Sequence, residues 1–370
     1  MRILGLGRCA VGLGAAAGLL AGCGTVGVQS RGVEASQLMQ TRSSFAPATL
    51  SVTGRERKHA PTRRASSGYV YVYVSNVTTF GPPASGEVVY YPAGSNGNVA
   101  PSGAIAGSNT DLTLVDGIVV DDTGEIYVAN SDTNSIVGFP AGSNGNVSPN
   151  LVISGSETGL ASPIALALDR LGNLYVSNCG ECDYGPPGKN SIEEFAAGSN
   201  GNVNPIREIT GKRTQLGHVN QLAIDRAGKI YVANVTNEAT LVFNRNANGN
   251  ASPVRVLAGT RSRINEPDGL AIGPAGLYVT SVYSGYIGRF PLGAGGDESP
   301  RVTLHVDWSN GGQQVIGGII VAPDDSLYVT GFSVPLVAQY AERARGKEPP
   351  LTVIQGSATQ LVTPTFVFVK

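Results

Sequence analysis

A unit of about 50 residues recurs six times along the chain, and this repeat limits the possible folds more than any other feature. Its clearest mark is a short phrase in which Tyr-Val follows an apolar residue and precedes a small one. The phrase begins at Tyr73, Tyr127, Tyr175, Tyr231, Tyr278 and Tyr328, at intervals of 54, 48, 56, 47 and 50 residues. Such a period is typical of solenoids and propellers, in which each repeat is one supersecondary unit.

Two further phrases keep step with the first. One reads YPAGSNGNVAP at 91–101, FPAGSNGNVSP at 139–149 and FAAGSNGNVNP at 195–205, and it drifts in the three later copies. The other precedes the Tyr-Val phrase, as in GIVVDDTG at 117–124 and QLAIDRAG at 221–228. Each unit therefore reads as four short strands, in which Asp-x-x-Gly and Asn-Gly turns separate runs of β-branched and aromatic residues.

Four-stranded units at this period predict the blades of a β-propeller. The two ends of the repeat region supply the missing parts of one blade. Gly68–Asn76 reads as a second strand without a first, and Thr365–Val369 reads as a first strand without a second. Pairing them removes two exposed strand edges. We therefore predict an all-β fold over residues 68–370, a six-bladed β-propeller of four-stranded blades that is closed by the N-terminal and C-terminal strands.

Composition agrees with a turn-rich β-protein. Gly and Pro contribute 50 and 22 of the 370 residues, and charged residues make up only 14 %. Low charge beside 41 % hydrophobic residues excludes a disordered chain. The formal net charge of −1 excludes a broadly basic nucleic-acid binder, so we expect no nucleic acid among the partners. One Trp, two Met and three His leave little material for a haem or multi-histidine centre.

The N-terminal residues have the pattern of an export signal. Arg2 and Arg8 precede an apolar stretch that ends in Leu-Ala-Gly-Cys at 20–23, which resembles the lipobox of bacterial lipoproteins. By this resemblance, a signal peptide of residues 1–22 is removed and Cys23 is acylated. The other reading is an ordinary cleaved signal with a chance Cys. Residues 23–67, rich in Ser, Thr, Gly and Arg, are expected to form a flexible tether.

This signal predicts a lipid-anchored protein of the cell envelope, because several acyl chains hold a protein stably on a membrane. If the source is Gram-negative, Gly24 does not resemble the Asp that marks inner-membrane retention, which favours the outer membrane and the periplasm. In other bacteria the expected place is the cell surface. The lipid membrane is thus one partner, and we expect the propeller to be a monomer.

The repeat resembles that of the NHL-repeat propellers, part of a wider six-bladed group that includes the SMP-30/gluconolactonase-like enzymes. The resemblance is carried by PDGLAIGPAGLYVTS at 267–281 and NQLAIDRAGKIYVAN at 220–234. It implies the fold far more specifically than an activity, because one fold hosts many functions.

In such a fold, the loops that leave second strands and the loops that enter first strands share one face around the central channel. The residues that fall there are Asn76, Asn130, Asn178 and Asn234 after the Tyr-Val phrase, and Asp116, Asn220 and Asp268 at the first strands. Oxygen ligands of this kind suit Ca²⁺, which is therefore the expected cofactor if there is one. In a structural role, the same side chains would cap strand ends through Asx-type turns.

The lactonase-like relatives place an Asn and an Asp at neighbouring first-strand entries, together with a Glu from another blade. Asn220 and Asp268 match that Asn and Asp in type and in their separation by one blade. The place that matches the Glu is near Pro364 and Thr365, where no acidic residue stands. The resemblance therefore implies only part of a metal site.

Cys179 and Cys182 form a Cys-x-x-Cys pair after the third Tyr-Val phrase. In an oxidising compartment we expect a disulfide that clips this loop. A redox centre with this motif normally opens a helix in a βαβ setting. Zinc would need further thiols or imidazoles, and none stands nearby in the sequence.

The same face holds further candidates for ligand contact. Phe80 and Tyr184 each precede Gly-Pro-Pro in a long loop, where an exposed ring could contact a sugar or a protein, or could fold over its own blade. His218 is either a general base or an ordinary loop histidine, and no Gly-x-Ser-x-Gly elbow is present. Asn130, Asn178 and Asn234 complete this set.

Together, a strong anchor signal and an incomplete catalytic set favour a non-catalytic role. The leading hypothesis is a lipoprotein whose propeller binds a protein or a glycan at the extracytoplasmic face of a membrane. The alternative is a Ca²⁺-assisted hydrolase of lactones or related esters that uses Asn220 and Asp268 with a further ligand. The two hypotheses differ in the response to calcium that they predict.

Overall fold

The structure is a computed structural model that describes residues 71–81, 83–180, 182, 189–308 and 315–370. The predicted signal peptide (1–22) and tether (23–67) lie outside these residues, as does Tyr184. Among the described residues, no helix has the length and apolar character that crossing a membrane requires.

The described chain consists of short strands joined by loops. The strands are β1 (Tyr71–Thr79), β2 (Ser85–Pro92), β3 (Gly103–Ile105), β4 (Val115–Val120), β5 (Ile126–Asn130), β6 (Ser135–Phe139), β7 (Leu151–Ser154), β8 (Pro163–Leu168), β9 (Leu174–Asn178), β10 (Ser191–Phe195), β11 (Arg207–Thr210), β12 (Val219–Ile224), β13 (Ile230–Asn234), β14 (Ala239–Phe243), β15 (Arg255–Leu257), β16 (Leu270–Gly273), β17 (Gly276–Ser281), β18 (Tyr286–Phe290), β19 (Val302–His305), β20 (Ile316–Val321), β21 (Leu327–Gly331), β22 (Leu336–Tyr340), β23 (Thr352–Gln355) and β24 (Pro364–Val369). Single-turn 3-10 helices occupy Lys212–Thr214, Val282–Ser284 and Ser357–Thr359.

These strands form six antiparallel sheets of four strands each, which are the blades. Blade 1 has the order β24-β1-β2-β3, and blades 2 to 6 follow in chain order as β4–β7, β8–β11, β12–β15, β16–β19 and β20–β23. The first strands pack against one another around a ring, β4 with β8, then β12, β16, β20 and β24, which returns to β4. The predicted six-bladed, all-β propeller is confirmed.

Blade 1 is closed by the two ends of the repeat region. In the antiparallel pair of β1 and β24, Val72 lies opposite Val369 and Val74 lies opposite Val367. Tyr71 and Lys370 also exchange backbone hydrogen bonds in both directions. The predicted pairing of the N-terminal and C-terminal strands is thus confirmed, and it leaves β24 as an inner strand of the ring.

Local hydrogen bonds and backbone geometry explain why Asp and Gly recur in the turn between the first and second strands of a blade. In blade 4, Asp225 Oδ1 accepts from the backbone N–H of Ala227 at 2.8 Å and of Lys229 at 2.9 Å. Gly228 has φ of +80°, which is left-handed and costs glycine little. An Asx turn therefore starts the second strand, as this residue pattern requires.

The Asn-Gly pairs lie between third and fourth strands, as the sequence predicts, but they also join the blades. Asn144 Oδ1 accepts from the backbone N–H of Ala104 in the preceding blade at 3.0 Å, and Gly145 forms a parallel bridge with Ile105. Equivalent bridges join Ile153 to Gly201, Ile209 to Gly249, Leu257 to Gly296, Leu304 to Gly346 and Ile354 to Gly97. Every fourth strand is thereby tied to the next blade around the ring.

A large, fully buried aromatic side chain is the last residue of the third strand in five blades and the second-last residue in blade 1. These residues are Tyr91, Phe139, Phe195, Phe243, Phe290 and Tyr340. Each belongs to the Asn-Gly phrase of the sequence, so that one phrase supplies both the buried ring and the contact to the neighbouring blade. Burying a ring of this size contributes a large apolar area to the core.

Candidate functional site

The candidate site is the channel mouth, which we define by Asp116, Asn220 and Asp268. Asp116 is the second residue of β4, Asn220 is the second residue of β12, and Asp268 stands two residues before β16. These are inner strands of blades 2, 4 and 5, so the ring brings the three side chains to the channel. All three remain partly accessible.

Two of the mouth residues are in direct contact. Asn220 Nδ2 donates a hydrogen bond to Asp268 Oδ1 over 2.5 Å. The backbone of Asn220 is fixed as well, because Ser177 in β9 donates its hydroxyl to the Asn220 carbonyl oxygen at 2.9 Å. Asn220 and Asp268, which the sequence places at the starts of neighbouring first strands, are therefore in contact, and blade 3 holds Asn220 in position.

The carboxyl groups of the mouth titrate near neutral pH. Loss of hydration raises the pKa of Asp116 to about 7, with repulsion from Asp268 and Asp132 adding to the rise and a hydrogen bond from Ser131 opposing it. Loss of hydration alone raises the pKa of Asp268 to about 7. None of the described cationic side chains contributes to either shift. Near neutral pH the mouth therefore presents carboxyl groups that can accept hydrogen bonds and, when ionised, can bind a cation.

The place that matches the relatives' Glu holds a hydroxyl group that faces the protein. Thr365 Oγ1 donates to the carbonyl oxygen of Val115 at 3.0 Å and lies 3.0 Å from Ser75 Oγ. Its side chain is buried. The mouth thus offers an amide and two carboxyls, and the ligand set implied by the resemblance is incomplete.

The amides after the Tyr-Val phrase have a structural role. Asn130 is fully buried; its Oδ1 accepts from the Thr113 N–H at 3.1 Å, and its Nδ2 donates to the Asp111 carbonyl at 2.9 Å. The buried residues Asn76, Asn178 and Asn234 bond in the same way to the loops that enter their first strands. Burial therefore does not support direct ligand contact by Asn130, Asn178 or Asn234.

One channel residue was missed by sequence reasoning. The buried side chain of Gln221 accepts at Oε1 from the N–H groups of Leu270 and Ile319, both at 3.1 Å, and its Nε2 donates to the Ile319 carbonyl at 2.7 Å. One amide thus joins the inner strands of blades 4, 5 and 6. The available signal was a long polar residue at the repeat position that holds Gly117 in blade 2 and Gly269 in blade 5.

A second missed residue is the buried acid Glu193. It lies in β10, at the third-strand position that Val137 and Leu241 occupy in neighbouring blades. Burial raises its pKa to about 8, although Ser191 donates to Oε1 at 2.8 Å. Within the described residues, Oε2 has no hydrogen-bond partner. A carboxyl in an apolar repeat position was the signal in the sequence.

The cysteine pair and His218 lie together where blade 3 packs against blade 4. Cys179 and Cys182 are joined as a disulfide, with their Cα atoms 5.4 Å apart. His218 Nε2 lies 3.3 Å from Cys182 Sγ. The sequence places these groups 36 residues apart, so their proximity follows from the packing of blade 3 against blade 4.

The two aromatic candidates have different outcomes. Phe80 is half-buried and packs against the core cluster that includes Leu112, Leu114 and Cys182. This arrangement favours the local-packing alternative for Phe80. Tyr184 lies outside the described residues, so its contact with a ligand stays a prediction.

Comparison with known proteins finds likeness of fold without likeness of sequence. No protein-family model matches the chain, and no curated protein matches it. A protein of unknown function from Bacteroides caccae is 9 % identical, with a TM-score of 0.57 over 82 % of this chain and 99 % of that one. A putative 6-phosphogluconolactonase from Bacteroides fragilis is 13 % identical, with a TM-score of 0.53 over 83 % and 99 %.

A further similar structure is virginiamycin B lyase from Staphylococcus aureus. It is 15 % identical, with a TM-score of 0.47 over 68 % of this chain and 73 % of that one. At these identities the likeness concerns the fold alone. The strand order shows that the described chain is a β-propeller, and the two Bacteroides structures agree with this fold.

Proposed function

We propose that the protein is a lipid-anchored binding module of the cell envelope, whose channel mouth takes a glycan without catalysing a reaction. The observation that carries this proposal is the donor and acceptor set of the mouth. Asp116 and Asp268 accept hydrogen bonds from hydroxyl groups, and the Asn220 amide both donates and accepts. None of the Lys, Arg or His side chains in the described part of the chain contributes to the pKa of Asp116 or Asp268. The two carboxyl groups therefore remain available to a ligand.

A glycan suits this set better than a protein does. Sugar hydroxyls supply several donors within a small space, and they can replace the water that the carboxyls lose at the mouth. We therefore argue for the glycan and treat a protein partner as an outcome of the test.

The anchor part of the proposal is supported by the Leu-Ala-Gly-Cys phrase at 20–23. It is tested by expression in a bacterium with incorporation of labelled palmitate. Wild-type protein is expected in the membrane fraction with label, and Cys23→Ser is expected to carry no label. Label that persists in Cys23→Ser would contradict acylation at this residue.

The binding part is tested on a glycan array, followed by calorimetry with the strongest ligand. Asp116→Asn and Asp268→Asn are each expected to weaken binding at least tenfold, while Asp122→Asn, whose side chain is exposed, leaves it unchanged. Binding that is indifferent to both mouth substitutions would refute a site at the mouth. Capture of an envelope protein that depends on the same two acids, with no glycan bound, would replace the glycan by a protein partner.

A Ca²⁺-assisted hydrolase of lactones or related esters is the second candidate. Two carboxyls that titrate near neutrality favour it, because one can be protonated while the other is ionised. It predicts turnover of a lactone panel in the presence of Ca²⁺ and a calcium-dependent rise in melting temperature that Asp268→Ala abolishes. Neither effect is expected for the binding module.

A further inference from the structure

The loop after β9 brings two cysteines to a histidine of the next blade. Cys179 and Cys182 are buried in blade 3, and His218 stands directly before β12 of blade 4. The potential ligand atoms of these three residues lie within 4.8 Å of one another. Two sulfurs and one imidazole nitrogen are the donors that zinc prefers, whereas Ca²⁺ prefers oxygen.

We propose that Cys179, Cys182 and His218 form a zinc(II) site when the disulfide is reduced, and that the disulfide is the metal-free state of the same site. The site uses none of the three residues that define the channel mouth. It does not depend on the nature of the ligand bound there.

The observed spacing agrees with tetrahedral coordination. Zinc bonds of about 2.3 Å to sulfur and about 2.0 Å to nitrogen place the two sulfurs about 3.8 Å apart and each sulfur about 3.5 Å from the nitrogen. His218 Nε2 already lies 3.3 Å from Cys182 Sγ. The cysteine Cα atoms are 5.4 Å apart, so rotation of the two side chains can open the sulfurs to the required distance.

The surroundings supply two further requirements of such a site. His218 is held from its backbone, because its N–H donates to Thr236 Oγ1 at 2.8 Å. Its side chain is partly exposed, which gives an ion a path from solvent and leaves a fourth position for water. Cys179 is fully buried and Cys182 is 9 % exposed, and attraction between charges is stronger in such poorly hydrated surroundings than in water.

The exchange between the two states balances as follows. A thiol reductant gives two electrons and two protons to the sulfurs, which become two thiols while the reductant becomes a disulfide. Zinc then binds the two thiolates and the neutral imidazole, and two protons leave. In the reverse direction, a disulfide oxidant takes two electrons from the two thiolates and becomes two thiols with two protons from solvent. The ion is then released, because the Cys179–Cys182 disulfide has no thiolate to offer.

The test uses the full chain with Cys9→Ser and Cys23→Ser, so that Cys179 and Cys182 are its remaining cysteines. The protein is reduced without oxygen and titrated with Co²⁺, which reports thiolate ligands by charge-transfer absorption in the near ultraviolet. One Co²⁺ per chain is expected, with displacement by Zn²⁺ and no band in the oxidised protein. Cobalt at the mouth acids would give no thiolate band.

Matched variants separate the proposal from accidental thiol binding. His218→Ala is expected to weaken Co²⁺ binding about 100-fold or more, since even losing an outer partner of a metal ligand costs 10–100-fold. Two substitutions serve as controls and are expected to leave Co²⁺ binding unchanged. They are His305→Ala, at an exposed position of β19, and His59→Ala. Absence of the band in the reduced chain, or equal affinity in His218→Ala, would overturn the proposal.

Discussion

Asn220 in blade 4 donates a hydrogen bond from Nδ2 to Oδ1 of Asp268 in blade 5 over 2.5 Å. This contact joins the entries of two neighbouring inner strands and fixes one wall of the channel mouth. Because this hydrogen bond uses only one of the roughly four acceptor sites of a carboxylate, Asp268 keeps capacity for a ligand. The contact is therefore both part of the ring and part of the candidate site.

Closure of blade 1 is expected to be essential for stability. Val367 in β24 is 3 % exposed and lies opposite Val74, so Val367→Asp buries an unpaired charge. We expect a loss of at least about 3 kcal/mol in the free energy of unfolding, measured by urea denaturation. Val362→Asp changes a residue that is 47 % exposed and serves as the control, with a change within about 0.5 kcal/mol. Equal stability of the two variants would contradict the closure.

The buried amide of Asn130 is expected to stabilise its blade through the entry loop. Asn130→Ala leaves the Thr113 N–H and the Asp111 carbonyl without their partner, and we expect a loss of about 2–3 kcal/mol. Asn237→Ala, at an exposed amide that bonds a similar loop carbonyl, should cost about 0.5 kcal/mol or less. Thermal melts of both variants measure the difference, and similar losses would show that burial of the amide is unimportant.

The mouth acids are expected to make stability fall as the pH rises. The pKa of Asp116 and of Asp268 is about 7 in the folded protein and near 4 in the unfolded chain. Between these values the folded protein keeps a proton that the unfolded chain releases, so stability declines from about pH 4 to about pH 7. Asp116→Asn with Asp268→Asn should flatten this decline in denaturation curves recorded across the range. An unchanged slope would show that these carboxyls are well hydrated.

Glu193 is expected to cost stability at alkaline pH. Its pKa is raised to about 8 by burial, and one carboxyl oxygen has no partner among the described residues. Glu193→Gln cannot ionise, so it should match the wild type near pH 4 and exceed it at pH 9 by on the order of 5 kcal/mol. Glu157→Gln at an exposed site provides the control. A gain that is the same at both pH values would contradict ionisation as its cause.

The repeat phrases predicted the fold because each phrase specifies a local structure, either a turn or a strand, from which the blades are built. The Asp-x-x-Gly turn and the Tyr-Val strand were visible as residue types at fixed spacing. The second role of Asn144 was not visible, because its partner Ala104 is in another blade and 40 residues away.

The candidate site was predictable only in part. Asn220 and Asp268 were identified from equivalent positions in adjacent repeats, and the structure places them in contact. Asn130 was assigned to the same face, but the chain alone did not show that its amide bonds to backbone groups. The proximity of Cys182 and His218 depends on how two blades pack, which no local pattern reports.

The hydrogen bond from the Phe366 N–H to Ser75 Oγ spans 291 residues of sequence. During synthesis, β1 emerges from the ribosome long before its inner partner β24 exists. Until β24 is available, β1 has an open edge and blade 6 has no neighbour on one side. Completion of the ring therefore waits for β24, which is synthesised after the strands of all the other blades.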